Sequence, residues 1–235
     1  MLARPLRPLR WVGSSKRDYG RFPARVQDNL GFALFLVQTG QHPPSAKPLK
    51  GLGRGLVELV EDFDGDTYRA VYTIRLRTVV YVLHAFMKKS KRGIKTPKTD
   101  IDLISSASGM RKPTTNNCLK QEHTMVRKVQ VEAGSDNIFA DLGLPDAEAH
   151  LLKAQIVSEI YRLTRQRKLT QAQAGKRMGI SQPEVSRMFG GNFREYSVDR
   201  LMEFLTRFDR DIEIVVKPHK KTGRQGRITF IPPAA

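Results

Sequence analysis

The sequence predicts an α+β N-terminal domain, with a small antiparallel sheet and helices, followed by a mainly α C-terminal domain with a closing strand. Two patterns predict this division. Apolar and polar residues alternate in runs between residues 56 and 86, which is the period of half-buried strands. From residue 146 onward, apolar residues recur at the spacing of amphipathic helices. The predicted limits are 1–104 and 131–217 for the domains, 105–130 for a linker and 218–235 for a basic tail.

The N-terminal domain is predicted to begin with a short strand at 9–13 and a helical region over about 15–40. Apolar residues at helical spacing would form one buried stripe on that region: Val26, Leu30, Leu34 and Val37. The prolines of HPPSAKP (42–48) end the helix because they lack an N–H.

Three strands are predicted next, at 56–62, 67–76 and 78–86. The sequence DGD at 64–66 is a hairpin turn signal between the first two. One buried face is indicated by the alternation of Tyr68, Ala70, Tyr72 and Ile74. Residues 87–98 are densely basic, and a short helix is predicted from Pro97 to about Ile104.

The C-terminal domain follows a small, polar and poorly periodic linker, and its pattern is weak over 126–139. Two amphipathic helices are predicted near 146–167 and 197–208. Their apolar stripes are Leu152, Ile156, Ile160 and Leu163 in the first, and Val198, Leu201, Leu205 and Phe208 in the second. The closing strand is predicted from the alternation of Ile212, Ile214 and Val216.

Residues 170–189 have the pattern of two short helices joined by a tight turn. Thr170 is an N-cap candidate for the first helix, and Ser181 for the second. Gly179 supplies the turn, since a left-handed backbone suits glycine. Gly175 is expected at the close contact between the helices, which four apolar residues hold together: Met178, Ile180, Val185 and Met188. The pattern is typical of a helix-turn-helix that docks in the DNA major groove.

The charge balance favours polyanionic partners. The chain carries 41 Lys and Arg against 23 Asp and Glu, a formal net charge of +18, and each phosphate contact made by such a surface releases condensed counterions. A single cysteine, Cys118, excludes an intrachain disulfide and fits a reducing compartment. Neither a membrane span nor a signal peptide is expected, because no apolar run is long enough. We therefore expect a cytoplasmic protein without a membrane partner.

Three stretches of the second half resemble HigA-like antitoxins of the Cro/repressor class: FADLGLPDAEAHLLKAQI, LTQAQAGKRMGISQPEVSRMFGGNF and SVDRLMEFLTRFDRDIEIVV. The resemblance implies operator DNA as a partner, with Gln171 on a phosphate. It implies base-edge contacts for three residues of the second helix: Gln182, Ser186 and Arg187. Candidates for positioning the DNA backbone are Ser181, Asn192 and Arg194. Glu184 would repel phosphate, so it must face a cytosine amino group or point away. The last stretch implies a C-terminal strand that serves as a homodimer contact.

The first half resembles phage-derived HigB-like toxins of the RelE/ParE superfamily. The stretches that carry this resemblance are PLRWVGSSKRDYGRFPARVQDNLGFAL, QTGQHPPSAKPLKGLGRGLVEL, DGDTYRAVYTI and VVYVLHAFMKKSKRGIKTPKTDID. The resemblance implies a RelE-like fold and a ribosome-dependent endoribonuclease that cuts translated mRNA. Because the superfamily also includes gyrase-directed members, the fold alone does not fix the target.

Metal-free RNA cleavage needs a base for the 2′-hydroxyl, cations for the phosphorane charge and an acid for the leaving oxygen. Arg69 is the foremost candidate for phosphate stabilisation, because it lies on a central strand and has bidentate geometry. His84 suits acid–base work, and Phe86 suits stacking on a splayed base. Further charge is available from Lys50, Arg54, Lys88, Lys89 and Lys95, with Lys50, Lys88 and Lys89 assigned to catalysis and Arg54 and Lys95 to RNA binding.

Structural interpretations of these residues stay open. His84 and Phe86 could be core residues, and the lysines could belong to a solvated loop. No cofactor and no metal are expected, since no Cys/His cluster or carboxylate pair has ligand spacing. The favoured hypothesis is a toxin and its antitoxin in one chain, the second silencing the first through an intrachain or interchain contact. The alternatives are a transcription regulator with an inactive toxin-like domain, and a gyrase poison fused to its antitoxin.

Overall fold

A computed structural model describes residues 6–49, 55–75, 78–88, 130–218, 226 and 228–231. They form two compact units. The sheet unit consists of Arg7–Leu30 and Ser45–Asp136, and the helical unit includes Gly31–Pro44 and Asn137–Ala235. Each unit thus contains a segment from the other part of the sequence. This exchange could not be read from the sequence, because periodicity shows which face of a segment is buried but not what covers it.

The sheet unit contains six strands and the helices α1 (Ser15–Tyr19) and the first part of α2 (Ala24–Gln38) in its described residues. The strands are β1 (Leu9–Val12), β2 (Ala46–Pro48), β3 (Leu56–Phe63), β4 (Asp66–Arg75), β5 (Val79–Lys88) and β6 (Val131–Ala133). Their order is β2-β3-β4-β5-β1-β6. All neighbours are antiparallel except β1 and β5, which are parallel. The predicted α+β class is confirmed, with a mixed rather than purely antiparallel sheet.

The sheet unit buries apolar residues on both faces of the strands: Tyr68 belongs to one face, and Val71 and Phe86 on the other face belong to a second buried cluster. The β3–β4 hairpin turns at Asp64 and Gly65, both with positive φ, as the DGD signal predicts. The expected alternation buries Tyr68, Ala70 and Tyr72, whereas the fourth residue of the pattern, Ile74, is exposed. Aromatic rings extend this core, with Phe22 edge-on to Tyr68 at 5.1 Å between ring centroids. The opposite face therefore carries the intervening residues of β4.

Several elements differ from the expectation. The helical region at 15–40 is broken after Tyr19 and resumes at Ala24. Helix α2 is buried on all sides from Val26 to Gln38, not along one stripe, which marks a helix surrounded by protein. Strands β2 and β6 were not expected, because two short segments have too little pattern to show alternation. The predicted helix at 97–104 lies outside the described residues.

The helical unit contains, besides the end of α2, five helices in its described residues: α3 (Ile138–Asp141), α4 (Ala147–Gln166), α5 (Gln171–Met178), α6 (Gln182–Phe189) and α7 (Val198–Thr206). The predicted stripe of α4 is buried, as are Leu201 and Leu205 of α7. The mainly α class is confirmed. Within the described ranges, no helix has both the length and the apolar character needed to cross a membrane.

The closing strand predicted at 211–217 is not formed in the single chain. Residues 211–217 are exposed and have no strand assignment. The physical reason is that a strand needs a hydrogen-bonding partner, and the alternation of Ile212, Ile214 and Val216 meets none in the part of the chain that the structure describes.

Candidate nucleic-acid interfaces

Helices α5 and α6 are the two helices of the predicted helix-turn-helix, and each begins with a reciprocal cap. The Thr170 hydroxyl accepts from the N–H of Gln173, whose side chain accepts from the N–H of Thr170. Ser181 and Glu184 make the same exchange at α6. Gly179 ends α5 at φ +76°, in the left-handed region that favours glycine. Local side-chain chemistry therefore fixes both helix starts and the turn between them.

The capping box settles the position of Glu184. Its carboxylate accepts from the backbone N–H of Ser181 at 2.8 Å and from the Ser181 hydroxyl at 2.6 Å. It thus bends back over the first turn of α6, which is the second of the two orientations left open by the sequence. These hydrogen bonds, followed by the charges of Arg187 and Arg200, lower the pKa of Glu184. The carboxylate also favours the positive end of the helix dipole.

The lowered pKa makes the cap of α6 pH-dependent. A group whose folded-state pKa is depressed stabilises the fold above its unfolded-state pKa and loses that effect as the pH falls. We expect Glu184→Gln to lower the melting temperature at pH 7 and to matter progressively less below the usual glutamate range. Thermal unfolding across pH measures this, with the exposed Glu195→Gln as control. A gap between wild type and Glu184→Gln that is the same at every pH would contradict the assignment.

Gly175 lies where α5 and α6 approach most closely. A Cβ built there would lie 2.6 Å from the backbone oxygen of Ile180 and 3.3 Å from Cγ2 of Val185. The neighbouring atom is backbone, so the clash cannot be relieved by a rotamer change. We expect Gly175→Val to destabilise the helical unit by about 1–3 kcal/mol, the usual cost of overpacking. Chemical denaturation measures this; Ala172→Val, at an exposed position of the same helix, controls for the β-branched side chain.

The predicted DNA-reading residues lie on α5, on α6 and in the segments immediately before and after α6. Ser181, Gln182, Ser186 and Arg187 are exposed, and Gln171, Asn192 and Arg194 are half-buried. The amide nitrogen of Gln182 donates to the amide oxygen of Gln171 at 2.7 Å. The two glutamines implied to contact a base and a phosphate are therefore joined to each other. Arg187 and Asn192 lie together at a cavity of about 290 Å³, lined also by Glu184, Glu195 and Tyr196.

A second group of predicted site residues meets on the sheet face opposite the Tyr68 core. In the β4–β5 pairing, Arg69 is opposite Phe86, and Val71 is opposite His84. Directly opposed residues of antiparallel strands point to the same face. Thr67, two residues before Arg69, pairs with Lys88. Four predicted residues, Arg69, His84, Phe86 and Lys88, therefore share what we call the Arg69 face.

A β-bulge creates this arrangement. Tyr72 pairs with Val82 and Val71 with His84, so Leu83 is an extra residue in β5. Strict alternation would have placed His84 with Val80 and Val82 on the core face. The bulge instead turns His84 to the Arg69 face, where its ring stacks on that of Phe86 with centroids 5.2 Å apart.

Arg69 is held by a carboxylate that sequence reasoning missed. Its guanidinium forms an ion pair with Glu58 of β3, and the side chains are 19% and 12% exposed. The Nε atom of Arg69 is buried and has no acceptor among the described residues. A signal was present in the sequence, since Glu58 interrupts an apolar strand in LVELV, and a buried carboxylate needs a partner.

Other sequence assignments have mixed outcomes. Phe86 is 9% exposed and packs with Val71 and Leu83, so part of its ring is committed to the core. Tyr72 lies on the core face, and burial raises its pKa to about 12. Four predicted site residues lie outside the described residues: Lys50, Arg54, Lys89 and Lys95.

The two interfaces lie in regions of the chain that match two different protein families. Residues 138–217 match a family described as a helix-turn-helix domain. Residues 17–107 match a family described as phage derived protein Gp49-like. The first part of the chain is thus similar to the Gp49-like family and the second part to helix-turn-helix domains. A solved structure described as an XRE family transcriptional regulator is 32% identical, covering 38% of this chain and 100% of that chain, with a TM-score of 0.36. A comparison with curated proteins gives no match.

Each interface lies within one domain. The Gp49-like domain contains the Arg69 face with Glu58, and the helix-turn-helix domain contains α5, α6 and the cavity beside Arg187. In the described parts of both domains, no group of three or more His, Cys, Asp or Glu is placed to hold a metal ion. The DNA-binding character of the second interface follows from its family and from its exposed Gln and Arg side chains.

Proposed function

We propose that the chain is a toxin and its antitoxin in one polypeptide. Residues 1–104 act as a RelE-type endoribonuclease on mRNA at the ribosome, and residues 131–217 bind and repress their own operator as a HigA-like antitoxin. The Gp49-like and helix-turn-helix matches support the pairing. The charge of +18 suits both polyanionic partners. The observation that carries the enzymatic part is the grouping of Arg69, Glu58 and His84.

The proposed chemistry uses the 2′-hydroxyl of the RNA as nucleophile. Arg69 stabilises the charge of the phosphorane. Glu58 holds the guanidinium in place, and His84 exchanges protons with the attacking or leaving oxygen. Lys88 adds charge at the end of the same strand, and Phe86, which is 9% exposed, supports the ring of His84 by stacking. Lys50, Arg54, Lys89 and Lys95 complete the basic surface in this proposal.

The proposed silencing in the intact chain is supported by strand β6. This strand precedes the helix-turn-helix domain in sequence and pairs antiparallel with β1 of the sheet. Its flanks add backbone hydrogen bonds from Gly13 N to Gln130 O at 2.8 Å and from Gly134 N to Leu9 O at 3.0 Å. Lys16 and Glu132 form an ion pair at 2.5 Å. Such strand addition holds an antitoxin segment on the toxin sheet.

The decisive experiment compares expression of residues 1–104 with expression of the intact chain in growing bacteria. We expect growth arrest and new mRNA 5′ ends from 1–104 only. Circular dichroism of the purified fragment establishes that it folds. A folded fragment that neither arrests growth nor cuts mRNA would refute the nuclease, and trapped double-strand DNA breaks without mRNA cuts would identify gyrase as the target. Equal arrest by both proteins would refute silencing.

A regulator with an inactive toxin-like domain is the second candidate. The buried Arg69–Glu58 pair favours it, because a neutralised arginine is also a common structural element. The two candidates differ in one respect that can be measured: only an active nuclease cuts mRNA when residues 1–104 are expressed alone.

The proposed homodimer uses the exposed segment 211–217. Antiparallel pairing of this segment with its copy, centred on Ile214, would place Asp211 opposite Lys217 and Ile212 opposite Val216. Opposite charges and apolar residues thus meet in register. The two helix-turn-helix domains of a dimer would also match the two half-sites of a palindromic operator. Ile214 itself is 77% exposed in the single chain.

We expect Ile214→Lys to convert the dimer to a monomer and to weaken operator binding, because like charges would meet at the centre of the ribbon. Sedimentation velocity measures the first effect, and anisotropy of a labelled upstream duplex measures the second. Ile228→Lys makes the same change at another exposed isoleucine. A dimer that survives Ile214→Lys unchanged would place the interface elsewhere.

A further inference from the structure

Helix α2 contributes to both units, and its second part has a position that the function proposed above does not explain. Residues Gly31–Pro44 belong to the helical unit. Every residue from Gly31 to Gln38 is buried. We call residues 31–44 the docking segment. Although it comes from the N-terminal part of the chain, it packs in the same unit as the helices that read DNA.

The first anchor of the docking segment is Phe32. Its ring, 1% exposed, meets the ring of Phe193 edge-on with centroids 4.9 Å apart. Phe193 stacks on His150 at 5.1 Å, and His150 meets Phe139 edge-on at 4.3 Å. Gly31 allows the close approach, because a Cβ there would already lie 3.3 Å from Phe139. The ring of Phe32 therefore completes an aromatic cluster supplied by the helix-turn-helix domain.

The second anchor consists of polar contacts to α4. The amide nitrogen of Gln41 donates to the hydroxyl of Ser158 at 2.6 Å. The hydroxyl of Tyr161 donates to the carbonyl oxygen of His42 at 2.9 Å. The ring of Tyr161 also meets the ring of Phe189 edge-on, with centroids 5.1 Å apart.

Both anchors lead to the C-terminal end of α6. Phe189 is the last residue of α6, the helix that carries Gln182, Ser186 and Arg187. Phe193 lies in the loop that leaves α6, where the N–H of Asn192 bonds back to the carbonyl of Arg187. The docking segment thus supports the C-terminal end of the reading helix through two separate contacts.

We propose that the docking segment is a positioning element for DNA recognition, so that operator affinity depends on Phe32 of the Gp49-like domain. Packing against Phe193 and Tyr161 fixes the end of α6 and the loop that follows it. A segment of the toxin-like part of the sequence would thus hold the DNA-contacting helix α6 in position. The proposal rests on the proposed operator binding for its DNA readout, but its structural readout is independent of it.

The test uses the full chain with Phe32→Leu, which keeps an apolar side chain and removes the ring. The control is Phe22→Leu, which removes a buried ring with comparable aromatic contacts in the sheet unit. The probes are a labelled duplex carrying the region upstream of the gene and a scrambled duplex of equal length. Amide hydrogen exchange over residues 182–196 provides the second readout.

For Phe32→Leu we expect affinity for the upstream duplex to fall about tenfold, a coupling of ordinary size, with faster exchange over residues 182–196. Phe22→Leu should leave both the affinity and the exchange rates within about twofold of wild type, since distant sites act independently.

Unchanged hydrogen exchange for Phe32→Leu, or equal changes in both variants, would overturn the proposal. If wild type does not prefer the upstream duplex, operator binding fails, while the exchange comparison still decides the positioning role. Should Phe32→Leu fail to fold, Gln41→Ala provides the same comparison.

Discussion

Replacing Arg69 by lysine should abolish most mRNA cleavage by residues 1–104 while leaving the fragment folded. Lysine keeps a positive charge beside Glu58, so the buried carboxylate retains a partner. It cannot reproduce the planar fork of the guanidinium. Loss of one preorganised donor to a developing oxyanion costs about 10²–10³-fold in rate. Growth arrest and the yield of new mRNA 5′ ends measure the loss.

The conservative change is required because of Glu58. Arg69→Ala would leave that carboxylate buried and unpaired, at a cost of about 3–5 kcal/mol, so lost activity could mean lost folding. Arg17→Lys makes the same exchange at an exposed helix position and should have no effect. Full cleavage by a folded Arg69→Lys fragment would show that the Arg69–Glu58 pair is structural and that the nuclease does not depend on the guanidinium of Arg69.

Removing Gln182 should relax operator recognition at one base pair, and removing Gln171 should relax it at the same base pair. A glutamine can make paired hydrogen bonds to adenine, worth about 1–3 kcal/mol of discrimination. Because Gln171 accepts from the Gln182 amide, it fixes which way that amide points. We expect Gln182→Ala, Gln171→Ala and the double variant to lose similar discrimination, whereas Arg187→Ala should relax a different base pair.

These effects are measured by selecting binding sites from random duplexes with the full chain, then titrating single-base variants at one fixed salt concentration. Gln166→Ala, an exposed glutamine at the end of α4, is the control. If Gln171→Ala weakened binding equally to every sequence, Gln171 would contact only phosphate, and the hydrogen bond to Gln182 would have no part in recognition.

Much of the helix-turn-helix could be predicted from the sequence, because its caps and its turn depend on interactions between residues close together in the chain. Thr170, Gly179 and Ser181 act on backbone groups within a few residues, so the caps and the turn follow from side-chain chemistry alone. The β3–β4 hairpin at Asp64 and Gly65 is local in the same sense. The orientation of Glu184 was one of two options, and only the cap showed which one holds.

The nuclease candidate was less predictable because it depends on pairing between strands. Alternation by itself assigns His84 to the face of Val80 and Val82. The bulge at Leu83 reverses that assignment, and a single extra residue leaves no mark in a run as apolar as VVYVLHAF. Glu58 was missed for a related reason, because its role depends on the ion pair with Arg69 of the neighbouring strand.

The sequence by itself determined the two fold classes, the hairpin, the capped helix-turn-helix and the residue types suited to each polyanion. These features depend on periodicity, turn chemistry and charge, which are properties of neighbouring residues. The tertiary structure alone decided that His84 shares a sheet face with Arg69, that β6 extends the sheet and that Phe32 packs against Phe193. Those three depend on contacts between residues far apart in the chain, and the hydrophobic effect that forms such contacts buries an apolar side chain without specifying its neighbour.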